Sequence, residues 1–130
     1  MIRVTAAIIQ DEGKILIAQR KRGSALALKW ELPGGKIETD ESPQECLERE
    51  LREEFGIESE ILSYFTSNIH RYKDISIELL AFNVRYLRGD FILNSHEQVR
   101  WVNVKNLQDY DFAKADLPII NKIVETEHVV

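Results

Sequence analysis

The chain has 130 residues, 44% hydrophobic and 30% charged, with a formal net charge of −5. That length suits one domain, 1–130, with a sizeable core, and a single cysteine leaves no intramolecular disulfide framework. The acidic balance argues against a general nucleic-acid binder, which presents a basic field. No apolar run approaches the roughly 18 residues of a membrane span, and Met1-Ile2-Arg3-Val4 opens an alternating strand rather than a signal peptide. The expectation is a cytoplasmic protein, monomer or homodimer, with neither a membrane nor a nucleic-acid partner.

In chain order, Arg3–Gln10 and Lys14–Arg20 are apolar-rich runs joined by Asp11-Glu12-Gly13, a hairpin signal. Lys21–Lys29 reads as a loop of polar and small residues, and Trp30-Glu31-Leu32 leads into the turn Pro33-Gly34-Gly35. A helix then follows from local causes. Ser42-Pro43-Gln44-Glu45 offers an N-cap serine, proline at the first helical position and a glutamate three residues past the cap. Gly56 is suited to end the helix in a left-handed conformation. Leu47, Leu51 and Phe55 recur every four residues and point to the core, with Cys46 a small buried filler. Glu58–Asn68 and Ile75–Tyr86 read as strands linked through His70–Asp74, Gly89-Asp90 as a turn, and Val99–Val104 as a short strand. Leu117–Val124 reads as a helix with Leu117, Ile120 and Val124 on its core face, and Glu125–Val130 as a frayed tail. Strands around two helices, with hairpin-like links, predict an α+β or mixed α/β layered domain.

The chemistry concentrates in the first helix. Glu50, Glu53 and Glu54 share an arc of roughly 100° on its surface. Like charges at that spacing cost on the order of 0.2–0.5 kcal/mol per pair, and a hard divalent cation with oxygen ligands converts the cost into binding. Three acids directly after a glycine turn make a metal platform.

These residues fall in a fixed pattern: Gly35, Glu41, Arg49-Glu50-Leu51, Glu53-Glu54 and Gly56-Ile57. The stretch from Gly35 to Ile57 resembles the signature box of the Nudix hydrolases in all nine specified positions. The resemblance implies a Nudix α/β/α sandwich with a mixed central sheet, and a nucleotide substrate with Mg²⁺ as cofactor, Mn²⁺ substituting. It implies metal ligation by Glu50, Glu53, Glu54 and the Gly34 carbonyl. Glu50 becomes the leading candidate for general base, with Glu53 next, and Arg49 the holder of a box carboxylate. Glu41 takes a structural part. Glu97, in Ser95-His96-Glu97-Gln98, lies where relatives supply one more carboxylate from a loop, and His96 reads as a loop residue rather than a ligand.

Similarity reaches beyond the box. Ala18-Gln19-Arg20, Trp30 through Glu38, His96-Glu97 and Ala115-Asp116-Leu117-Pro118 resemble the MutT and CTP pyrophosphohydrolase branch, whose members split nucleoside triphosphates into monophosphate and pyrophosphate. Some of them remove oxidised nucleotides such as 8-oxo-dGTP. That branch implies a nucleobase held by Val4, Arg20, Leu32 and Asp116, with Lys36 towards a phosphate. Asp116 departs from the asparagine of the MutT type and matches the cytidine-type relatives, so the base stays open. Other readings are a Nudix hydrolase of dinucleoside polyphosphates, for which Tyr72 speaks, or of ADP-ribose. A further alternative is a non-catalytic nucleotide sensor, from which lost box glutamates would be expected.

Overall fold

The structure is a computed structural model that describes the backbone of residues 1–128. Alternation along the first two strands explains its layers. In β1 (Ile2–Asp11), Ala6 and Ile8 face one side while Ala7 and Ile9 face the other. In β2 (Lys14–Arg20), Ile15 and Ile17 join the first set, Leu16 and Ala18 the second. Strands apolar on both faces need a cover on both. Helix α1 (Pro43–Phe55) lays Leu47, Leu51 and Phe55 on one face. Helix α2 (Leu117–His128) lays Ile119, Ile120, Ile123 and Val124 on the other.

The sheet is mixed and runs β3-β2-β1-β5-β4, with β6 paired to the remaining edge of β2. Here β3 is Trp30–Glu31, β4 Glu58–Tyr72, β5 Ile75–Arg88 and β6 His96–Asn103. The parallel pair is β1 with β5; the others are antiparallel. β1 and β2 pair only beside their hairpin, at Gln10–Ile15 and Asp11–Lys14. Beyond that they part, and the glycine turn takes the freed edge of β1. Ala7 N–H donates to the Pro33 carbonyl (2.7 Å), Thr5 N–H to that of Gly35 (2.8 Å), and Ile37 N–H to that of Arg3 (2.9 Å). This parting of two strands opens the site.

Several expectations shift. β4 runs on through His70–Tyr72 and β5 reaches Arg88, because the two strands pair down to the tight link at Lys73-Asp74. β6 starts at His96 rather than Val99, so His96 and Glu97 belong to a strand and not to a loop. Val104 opens a 3-10 helix, Val104–Asp109, that the sequence reading did not anticipate. Leu117 is 39% exposed and outside the core. The pairs Ile119–Ile123 and Ile120–Val124 centre the buried arc about 90° away from it. Helix α2 also continues through Glu125–His128, expected as part of a frayed tail, whose last two positions, 129 and 130, lie outside the described residues. Among the described residues no helix is long and apolar enough to cross a membrane.

Candidate active site

Helix α1 is fixed at both ends as its sequence demands. Ser42 Oγ accepts from Glu45 N–H (3.1 Å) and Glu45 Oε1 from Ser42 N–H (2.9 Å), the reciprocal cap. Gly56 closes the helix at φ 71°. With its ends set, the helix presents Glu50 straight to the turn. A Cβ on Gly35 would stand 2.3 Å from the Glu50 carboxyl carbon, and one on Gly34 would stand 1.9 Å from the Thr5 carbonyl oxygen. Only glycines allow β1, the turn and the carboxylate to approach this closely. Cys46 lies under the turn, against Thr5 and the Gly35 and Lys36 carbonyls, and burial pushes its thiol up. It packs as the small filler expected.

Arg49 organises the acids. Its Nε and Nη2 grip Glu41 at 2.6 and 3.0 Å, a two-point pairing that holds the Glu41 carboxyl down to about 2. Its Nη1 donates to Glu50 Oε1 (3.0 Å) and Glu53 Oε2 (3.4 Å). Burial pushes Glu50 up; the Arg49 hydrogen bond pulls it back, and Glu54 and Glu53 push it further up. Glu54 accepts from Ser95 Oγ. Glu97 pairs with Arg22 at 3.6 Å.

The four acids expected to ligate are therefore turned to three donors: Glu50 and Glu53 to Arg49, Glu54 to Ser95 and Glu97 to Arg22. Among the described residues, no three His, Cys, Asp or Glu side chains are gathered closely enough to hold a metal by themselves. Like charges on one helical face separate towards whatever donors are near. The donor set still suits a hard divalent cation, being all oxygen. The neighbouring carbonyls of Pro33 and Gly35 are taken up by β1, whereas no hydrogen bond among the described residues engages that of Gly34. A carbonyl left free beside Glu50, in a cradle that any Cβ would fill, fits the role.

Beside this turn lies a cleft of about 310 Å³, and Val4, Arg20, Leu32, Lys36 and Asp116 all line it, together with Gly34 and Gly35. All five residues expected at the substrate thus meet in one cavity, which reaches the glycine turn that Glu50 abuts. Asp116 is buried, 6% exposed, and its Oδ2 accepts from Leu32 N–H at 2.9 Å. Its backbone carbonyl, not its side chain, receives the N–H groups of Ile119 and Ile120 in the first turn of α2. Burial pushes the Asp116 carboxyl up to about 7; the Leu32 N–H opposes this, the Glu31 charge adds to it, and Arg20 lowers it. Tyr72 stands beside the tight link of the β4–β5 hairpin, 47% exposed and outside the cleft lining.

Two residues escaped the sequence reading. Glu31 Oε1 accepts from Arg20 Nη1 (3.2 Å), and its Oε2 lies 2.7 Å from His96 Nε2. His96 is buried and stacked on Phe55 at 4.9 Å between centroids. No local signal marked the pair: alternation along Trp30-Glu31-Leu32 reads Glu31 as the outward residue between two core residues.

Comparison with known proteins identifies the family. The family model for the NUDIX domain matches residues 1–123. The chain is 41% identical over 120 residues to the CTP pyrophosphohydrolase of Escherichia coli K12, covering 92% of this chain and 89% of that one. It is 32% identical over 123 residues to the 8-oxo-dGTP diphosphatase of the same organism, covering 94% and 95%. The crystal structure of the MutT protein from Methanosarcina mazei Go1 superposes with a TM-score of 0.86 at 25% identity, covering 97% and 94%. Fold, box and relatives agree: the chain belongs to the Nudix hydrolase family.

Proposed function

We propose that the chain is a nucleoside triphosphate pyrophosphohydrolase, converting a (deoxy)nucleoside triphosphate and water into the monophosphate and pyrophosphate. The observation that carries this reading is the continuity of the cleft with the glycine turn. A nucleoside lying among Val4, Arg20, Leu32 and Asp116 would extend its phosphates past Lys36 to the carboxylates behind Gly34 and Gly35. Similarity to a CTP pyrophosphohydrolase and to 8-oxo-dGTP diphosphatases supports the same substrate class.

Glu50, Glu53, Glu54, Glu97 and the Gly34 carbonyl would hold Mg²⁺ or Mn²⁺. Such an ion supplies charge neutralisation on the phosphates and a more acidic water. Glu50 receives the proton of the attacking water, since the turn and Arg49 hold its carboxylate in one place. Arg49 keeps Glu50 oriented and is itself anchored by Glu41. Lys36 takes a phosphate oxygen, and Leu32 and Val4 give the base an apolar wall. Asp116 reads the base edge with the oxygen that Leu32 does not use. A cytoplasmic nucleotide pool is the source of substrate.

A panel of canonical and oxidised nucleotides, assayed for pyrophosphate release with Mg²⁺ and with EDTA, tests the proposal. The expected result is monophosphate and pyrophosphate in equal amounts, lost in EDTA. Release of orthophosphate instead, or no turnover of any triphosphate, would refute it.

A further inference from the structure

The nucleoside end of the cleft carries a carboxylate that a polyanionic substrate would avoid. Glu31 lines the cleft near Asp116, yet both of its oxygens are committed: one to Arg20 Nη1 at 3.2 Å, the other to His96 Nε2 at 2.7 Å. The His96 ring is clamped on Phe55, and its Nδ1 is buried without a partner. Its Nε2 is therefore the nitrogen that carries the proton and donates to Glu31. Strand register makes this contact possible. Arg20 pairs with His96 across β2 and β6, and a bulge at that point leaves Glu97 as the extra residue.

Arg20 is fixed on two sides. Its Nε donates to the Ala25 carbonyl at 2.7 Å, while Nη1 meets Glu31. A guanidinium has five N–H groups, and none of the hydrogen bonds among the described residues uses Nη2. A planar fork held this way matches a base edge with two adjacent acceptors, such as N3 and O2 of cytosine or N7 and O6 of guanine. Adenine offers no such pair.

We propose that Glu31, held by His96, is a positioning residue that keeps the free N–H groups of Arg20 on the cleft wall, and thereby sets preference for nucleobases with an adjacent acceptor pair. The proposal rests on the cleft being the nucleotide site. Glu31→Gln keeps the shape and removes the charge, so its amide oxygen can serve Arg20 or His96 but not both.

The test is calorimetric binding of CMP, GMP and AMP in EDTA, followed by kcat and KM for the corresponding triphosphates with Mg²⁺. Wild type is expected to favour CMP or GMP over AMP. Glu31→Gln should narrow that preference about fivefold or more, the lower end of a good base contact, with KM moving more than kcat. Arg20→Lys keeps the charge and loses the fork, so it should narrow the preference likewise and serves as the second probe. In an Arg20→Ala background, Glu31→Gln should leave the base ratios unmoved, because it acts through Arg20. Unchanged ratios in Glu31→Gln, or an equal change with and without Arg20, would overturn the proposal. A wild-type enzyme that hydrolyses all bases alike overturns it too while leaving the hydrolase reading intact. A wild type that neither binds nor hydrolyses any nucleotide removes both.

Discussion

Asp116→Asn is a substitution whose effect on stability follows chiefly from burial. The Asp116 carboxyl is pushed from 3.8 up to about 7 in the folded chain. A folded-state value raised above the unfolded one means that the native state binds the proton more tightly. The stability this contributes is complete below pH 3.8 and is lost as pH rises through about 7. At 1.36 kcal/mol for each pH unit, the window corresponds to about 4 kcal/mol. Asparagine keeps an oxygen for the Leu32 N–H and carries no titrating proton. The difference in unfolding free energy between the two proteins should therefore move by about 4 kcal/mol in favour of Asp116→Asn between pH 4 and pH 8. With a urea m-value of about 2 kcal/mol/M for a domain of this size, the relative midpoint shifts by about 2 M. Urea titrations followed by far-UV circular dichroism at five pH values measure it, and groups shared by both proteins cancel in the difference. Parallel curves would refute the reasoning by showing that the Asp116 proton is not held by the fold.

Further expectations concern the site itself. Glu53→Gln preserves shape and removes charge, so kcat should fall by at least ~10²-fold and the Mg²⁺ requirement should rise; a change below about threefold would remove Glu53 from the metal's ligands. Gly35→Ala places a methyl 2.3 Å from the Glu50 carboxyl carbon. A displacement of this kind, near 1 Å, costs on the order of 10²-fold in rate, and a thermal melt close to wild type would assign the loss to geometry. Activity removed by EDTA should return with Mg²⁺ or Mn²⁺, and full turnover in a metal-free preparation would contradict the mechanism. If Asp116 reads the base, Asp116→Asn should alter kcat/KM ratios between purine and pyrimidine triphosphates by about 1–3 kcal/mol, whereas an unaltered ranking would confine Asp116 to its bond with Leu32.

What could be read from the sequence was what neighbours along the chain decide. The limits of α1 are carried by Ser42, Glu45 and Gly56, each acting within one turn, so that helix was legible residue by residue. The cleft residues were legible through resemblance, and Val4, Arg20, Leu32, Lys36 and Asp116 do share one cavity. The Glu31–His96 bond joins residues 65 apart and needs both the register of β2 on β6 and the bulge at Glu97. No local pattern encodes that register. Leu117 shows the same limit at a helix: in a stretch this apolar, which arc is buried is decided by how the helix docks on the sheet, and periodicity alone was off by a fraction of a turn.

The outermost strand has a consequence for how this protein behaves among copies of itself. β4 is 15 residues long and ends the sheet, with Leu62, Tyr64 and Ile69 exposed along it. A regular edge of that length, about 50 Å, would offer a second chain a long row of unpaired N–H and C=O groups. Its pairing with β5 instead slips at Glu58/Ser59, Ile61/Ser63 and Tyr64/Thr66, and its first residues carry Glu58 and Glu60, tied to Arg88 and Arg85. Each slip twists the strand and interrupts the row, so a visiting strand meets a few short runs behind a charged end. The irregularity along β4 thus gives this long exposed edge resistance to open-ended association.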